Sequence, residues 1–229
     1  DLLLRIAKEN NVSETAFFIK KGEGFYLRWF TPEIEMDLCG HATLATAYCL
    51  KNHLDYKKNQ VIFDSMSGEL IVKFDGDYIQ MDFPHRKPKN SELPKNIMDS
   101  LSIKPNKVLK ERDYVLVYDN EEQIKNIEID KELFDKTNLD PGGVVITSKG
   151  TKSDFVSRYF VPQCSFFEDP VTGSTHCSLV PYWSEILKKT KLKSIQLSER
   201  GGEMFCEDLG NRVIINGKAK TYFKGKVTL

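Results

Sequence analysis

Three stretches of the chain hold the side chains best suited to chemistry. In NVSETAFF, Glu14 sits just ahead of an apolar segment. Val12, Ala16 and Phe17 are placed to strip water from it, and a desolvated carboxylate has a raised pKa that suits general acid and base work near neutrality. The same spacing also suits a carboxylate at a helix end or on the surface. In DLCGHAT, Cys39 and His41 flank Gly40. A histidine there is able to titrate near pH 7, to cap a helix or to pack. In EDPVTGSTH, Asp169 precedes Pro170, whose fixed ring restrains the backbone, and Thr172, Gly173, Ser174 and Thr175 follow.

Cys39 and His41 first suggest a nucleophile with its base, or half of a metal site. Neither reading is well supported. The pair is too tight for usual metal-ligand spacing, His176-Cys177 has no matching pair, and no oriented third member is evident. No metal is expected. Glycine-rich phosphate loops of the Walker or Rossmann type are absent from the sequence. The glycines carry a stronger signal. Gly40 and Gly173 each open a helical segment, where a missing Cβ lets a ligand approach the backbone. The free N–H groups of a first helical turn, backed by the helix dipole, make an anion site. An ordinary capped helix, with Ser174 or Thr172 as cap, is the plainer alternative.

These segments need elements to position them. Periodicity predicts a helix over 2–10 with Leu3, Ile6 and Ala7 on one face, a hairpin of strands 15–20 and 25–31, and a helix over 40–52 with Ala42, Ala45 and Cys49 in its apolar spacing. Short strands follow near 60–64, 68–74 and 78–83, then 112–118, 143–148 and 155–161. A long helix is expected from about 173 to 189, with three closing strands. Residues 84–96, PHRKPKNSELPKN, read as a linker. Two blocks repeat. SMSGELIVKFDGDYIQM (65–81) and ERGGEMFCEDLGNRVII (199–215) align Gly68 with Gly202, Gly76 with Gly210 and Ile79 with Val213. EMDLCGHAT and EDPVTGSTH align likewise at the helix starts. The expected organisation is a duplication, with an N-terminal half over 1–88, a C-terminal half over 89–229 and a ligand cleft between them.

Bulk properties narrow the class. Lys plus Arg and Asp plus Glu each number 33, for a formal net charge of zero, which argues against a general nucleic-acid binder. The five cysteines are odd in number and form no CxxC, as suits free thiols in a reducing, cytoplasmic setting. No apolar run approaches the ~18 residues of a membrane-spanning helix. The paired anion sites call for a small molecule with at least one carboxylate or phosphate, with no nucleic-acid or membrane partner, and a homodimer is the default for a soluble enzyme.

Taken together, SETAFF, LCGHATLATAY, EDPVTGSTHCSLVPYW and LSERGGEM resemble the phenazine-biosynthesis PhzF-like family across essentially the whole chain. The resemblance implies an α+β fold of the diaminopimelate-epimerase type: two pseudo-symmetric halves, each a mixed sheet or barrel wrapped around a central helix. It implies a cofactor-independent isomerase in which a glutamate moves a proton on a small cyclic, amino-acid-like carboxylate. The family's catalytic residues match Glu14, His41, Asp169 and Ser174, and Gly40, Gly173, Thr172 and Thr175 fall where substrate is held. No cofactor is expected. Related racemases and epimerases use a cysteine at each helix start. Here Cys39 occupies the first such position and Thr172 the second, and a threonine hydroxyl is far too weak an acid to replace a thiol. A racemase is therefore the weaker alternative, behind a catalytically silent binding or scaffold protein. Members of the family normally carry a leading strand and a Gly-Asn-Pro loop ahead of the point where this chain begins, and that segment would add to the first half's sheet and the cleft wall.

Overall fold

The computed structural model describes residues 2–139, 142–164 and 166–227. The first part of the chain runs through α1 (Leu2–Asn10), β1 (Thr15–Lys21), β2 (Gly24–Phe30), β3 (Glu35–Met36), α2 (Gly40–His53), β4 (Gln60–Ser65), β5 (Gly68–Asp75) and β6 (Tyr78–Pro84). A middle section holds β7 (Lys89–Asn90), α3 (Lys95–Ser100), β8 (Lys107–Lys110), β9 (Tyr114–Val117), α4 (Glu121–Asn126) and α5 (Lys131–Phe134). The last part repeats the first: β10 (Val144–Lys149), β11 (Phe155–Phe160), β12 (Glu168–Asp169), α6 (His176–Leu187), β13 (Lys191–Gln196), β14 (Gly202–Asp208) and β15 (Arg212–Gly217).

The strands join in one sheet whose order is a palindrome of this repeat. It reads β1-β2-β4-β5-β6, then β15-β14-β13-β11-β10, and continues through β9, β8 and β7. Within each copy the pairings are antiparallel, except β2 with β4 and β11 with β13, which are parallel. A parallel pair needs a crossover, and in each copy it is supplied by the helix, α2 or α6. The copies join at β6 and β15, antiparallel from Arg212↔Pro84 to Gly217↔Ile79. Gly76 and Gly210 turn the equivalent hairpins with φ of +57° and +81°, a region that favours glycine.

Strands facing one core alternate. Gln60–Ser65 and Lys191–Gln196 each bury every second residue. Tyr114–Val117 is buried throughout because it is covered on both faces. Val115 and Val117 join the main core with the residues around α2 and α6, while Tyr114 and Leu116 join a second core with Ile97, Ile124 and Phe134 from α3, α4 and α5.

Three expectations need correction. The buried face of α2 is formed by Ala42, Thr43, Thr46, Ala47 and Leu50, and Ala45 and Cys49 are exposed. Threonines take interior positions because Thr43 and Thr46 return their hydroxyls to the carbonyls of Cys39 (2.6 Å) and Ala42 (2.7 Å). Helix α6 starts at His176, since residues 173–175 form a tighter turn in which the His176 and Cys177 N–H groups donate to Gly173 and Ser174. The supposed linker is tied down: it contains β7 and the start of α3, and the Arg86 N–H donates to the Cys177 carbonyl (2.9 Å).

Candidate active site

The two helix starts are aimed by matching devices. Arg28 on β2 pairs with Glu35 on β3 at 2.6 Å, and Arg158 on β11 pairs with Glu168 beside β12's Asp169 at 2.8 Å. Each arginine also lies over a phenylalanine of its own strand, Phe30 or Phe160, at 4.9 and 5.0 Å. These clamps dock β3 and β12 on their partners, and from there the chain turns into Gly40 and Gly173. The two glycines then meet. A Cβ on Gly40 would stand 2.8 Å from the Gly173 Cα, and one on Gly173 would stand 3.1 Å from the Gly40 Cα. The absent side chains therefore let the two halves touch. Access for a ligand, the reason the sequence suggests, is not what fills that direction.

Around this contact lies a cavity of about 160 Å³ lined from both halves, by Glu14, Cys39, Gly40 and His41 on one side and Asp169, Thr172, Gly173 and Ser174 on the other. Seven of the eight residues singled out in the sequence reach it. Thr175 does not: it is 1% exposed and donates its hydroxyl to the Thr172 carbonyl at 2.9 Å, so its role is to brace the turn.

Glu14 stands immediately before β1 with its side chain 9% exposed, and its Oε2 lies 3.0 Å from His41 Nε2. Burial pushes its pKa up, but the neighbouring His41, Ser13 and Cys39 outweigh that, and Glu14 is held below the ordinary carboxylate value. This reverses the expected direction. It also corrects the cause, since Val12 is 52% exposed and shields little. Burial pulls His41 down, yet its contacts with Cys39 and Glu14 hold it well above its ordinary value. Cys39 is pushed up by burial and by the Glu14 charge, so it stays a thiol and the carboxylate is what charges the imidazole. Cys39 thus supports the pair, with Sγ 3.8 Å from His41 Nδ1. Although the ion pair is close, the ring N–H is not aligned on it, and Glu14 Oε2 is buried with no hydrogen-bond partner among the described residues.

Asp169 shows the opposite electrostatics. It is 4% exposed, and burial first, then the Glu14 charge, pushes its carboxyl up to about 6, against the opposing pull of His41. Its Oδ2 accepts from the Thr172 hydroxyl at 2.6 Å, whereas Oδ1 is buried with no hydrogen-bond partner among the described residues. The segment is stapled by Gln196 of β13, whose side chain donates to the Asp169 carbonyl (2.6 Å) and accepts from the Thr172 N–H (2.7 Å). His176 behind it is fully buried between the Thr172 carbonyl (3.0 Å) and the Ser194 hydroxyl (2.8 Å), and burial lowers it to about 4, so it is a neutral structural residue.

Glu14, Cys39 and His41 place three potential metal donors within 4.8 Å of one another. Their arrangement does not fit a shared ion. Cys39 Sγ is nearly equidistant from both ring nitrogens, 3.8 and 3.9 Å, whereas a metal joining sulfur to one nitrogen would leave the other much farther away.

Several cavity residues were not singled out from the sequence: Arg112, Tyr159, Thr31, Val161 and Pro162. A signal for the last three, and for Arg28 and Arg158, is present in the repeated pentapeptides RWFTP (28–32) and RYFVP (158–162). Arg112 and Gln196 have no such local mark, because Asp37, which Arg112 faces, and Asp169 and Thr172, which Gln196 holds, are distant in sequence.

A pseudo-symmetric α+β fold whose two repeats meet at one cavity is the diaminopimelate-epimerase type of architecture. The family model of the PhzC-PhzF, phenazine biosynthesis-like proteins matches residues 1–225, and the chain belongs to that family. A Pseudomonas aeruginosa protein named as an uncharacterized isomerase is 44% identical, over 99% of this chain and 87% of its own length. Another so named, from Halalkalibacterium halodurans, is 40% identical over 98% and 86%. The crystal structure of a PhzF-family phenazine biosynthesis protein from Enterococcus faecalis superposes with a TM-score of 0.89 at 43% identity, covering 100% of this chain and 87% of that one.

Proposed function

We propose that the protein is a cofactor-independent isomerase that moves a proton on a small carboxylate substrate, held between two halves that divide near residue 88. One observation carries the reading: Glu14 Oε2 and Asp169 Oδ1 are buried, accept no hydrogen bond among the described residues and belong to residues that line one cavity, with Glu14 below and Asp169 above the ordinary carboxylate range. Environments that push two carboxyl groups apart assign one as base and the other as acid.

In this account the substrate carboxylate sits at the first-turn N–H groups of residues 40–42 and 173–175, which the helices themselves cannot satisfy. Glu14 takes a proton from carbon. His41, charged beside it, stabilises the carboxylate before transfer and hydrogen-bonds the substrate after it. Ser174, which lines the cavity opposite, is assigned a contact to the substrate. The proton returns to a different carbon from Glu14 itself, while protonated Asp169 donates a hydrogen bond to the delocalised charge. A two-thiol racemase finds no support: Cys177 is fully buried, away from the cavity, and pushed up to about 12.

A screen of cyclic, amino-acid-like carboxylates in heavy water, read by proton NMR, tests the reading. A substrate should exchange or shift a C–H with wild type and remain unchanged with Glu14→Gln. Equal exchange by both proteins would refute the role of Glu14.

A further inference from the structure

Arg112 is the most buried cation in the cavity wall, with its side chain 8% exposed. Its surroundings neutralise it without using its donors. Nε lies 2.9 Å from Asp37 Oδ1 but is not aligned on it, and Nη1 is 3.6 Å from Asp113 Oδ2. Nη2 is buried with no acceptor among the described residues. One oxygen of each neighbouring carboxylate is engaged elsewhere, while Asp37 Oδ1, which faces Nε, has no aligned hydrogen bond among the described residues. Asp113 Oδ1 accepts from the Gly143 N–H and the Tyr159 hydroxyl, both at 2.9 Å, and Asp37 Oδ2 faces Arg86 at 3.3 Å and the Ser67 hydroxyl at 3.4 Å.

A buried guanidinium with idle donors carries a free-energy cost that a structural role leaves unexplained. Its planar fork matches a carboxylate in a way no lysine does. Its position is also defined relative to the proposed acid. Tyr159 binds the Asp113 that flanks Arg112, and Tyr159 stands opposite Asp169 in the β11–β12 pairing. Arg112, Tyr159 and Asp169 thus line one cavity, with Arg112 tied to the strand that carries Asp169 through Asp113 and Tyr159.

We propose that Arg112 determines substrate class by binding a second carboxylate, so that the substrate is a small dicarboxylate with one acid group at the helix starts and the other on Arg112. This rests on the reading of the cavity as a substrate site.

Calorimetric titration with two probes, benzoate and isophthalate (benzene-1,3-dicarboxylate), tests it. Wild type should bind isophthalate about tenfold or more tighter than benzoate, the scale of one charge-assisted hydrogen-bonded pair. Arg112→Gln should bind both alike, with benzoate affinity near that of wild type. Arg112→Lys, which keeps the charge between Asp37 and Asp113 and is the variant to use if Arg112→Gln does not fold, should lose most of the preference. No saturable isophthalate binding, or a preference unchanged in these variants, would overturn the inference. Glu14→Gln should keep the preference. Preference present with no proton exchange on any substrate would sink the isomerase reading alone, and exchange intact with no preference would sink the role of Arg112 alone.

Discussion

Gly40 and Gly173 are in backbone contact where the chain enters two helices related by an internal repeat, close enough that a Cβ on the first would come within 2.8 Å of the second's Cα. The contact fixes the spacing of the two helix starts and hence of the groups they carry into the cavity. Gly40→Ala should therefore force the halves apart. A loss of about 1–3 kcal/mol is expected for such overpacking, measured by urea unfolding, with a fall in activity that exceeds the loss of folded protein.

The Asp169 carboxyl, pushed up to about 6, gives a pH profile with a definite sign. If the protonated form is the working one, kcat/KM falls as pH rises through about 6, and Asp169→Asn lacks that limb and is slower by about a hundredfold. Stability follows the same group. A raised folded pKa stabilises below the ordinary value of 3.8, and that contribution is lost as pH rises through about 6. Asp169→Asn should thus gain stability over wild type at pH 8, and lose that advantage below pH 4.

His176 has the opposite linkage. Its pKa falls from 6.5 to about 4 on burial, so its stabilising contribution is present above 6.5 and lost as pH drops through about 4. A shift of that size corresponds to about 3 kcal/mol. Unfolding free energies measured between pH 7 and 4 should show a one-proton slope in wild type, and His176→Gln should remove it.

Gln196 holds the Asp169 carbonyl and the Thr172 N–H at once. Gln196→Leu leaves both buried and unpaired, at about 1–3 kcal/mol for each. A lowered melting temperature is expected, together with a shifted alkaline limb in the rate profile, because Thr172 also donates to Asp169. A lowered melting temperature with an unmoved limb would show that Gln196 does not position Asp169.

The sequence was most legible where a local rule applied. The period-2 strands, the Gly76 and Gly210 turns and the helix start at Gly40 are local, and the repetition of these blocks makes the paired halves visible. What escaped it depends on contacts between distant residues. Glu14 was placed in the site by its match to a family motif, but the direction of its pKa depends on His41, which reaches it only through the fold. Arg112 and Gln196 look like ordinary polar residues of a loop and a strand until their partners are in place. Ala45 and Cys49 fit an apolar period yet face solvent, because the interior of α2 accepts threonines whose hydroxyls are satisfied by its own carbonyls.

The central claim is that Glu14, held as a carboxylate beside charged His41, moves the proton. Its most direct measurement is solvent-deuterium incorporation into a turned-over substrate, followed by NMR with wild type and Glu14→Gln, with binding of the same compound checked by calorimetry. The account predicts incorporation by wild type, and none by a variant that still binds. Incorporation by Glu14→Gln at the wild-type rate would contradict it.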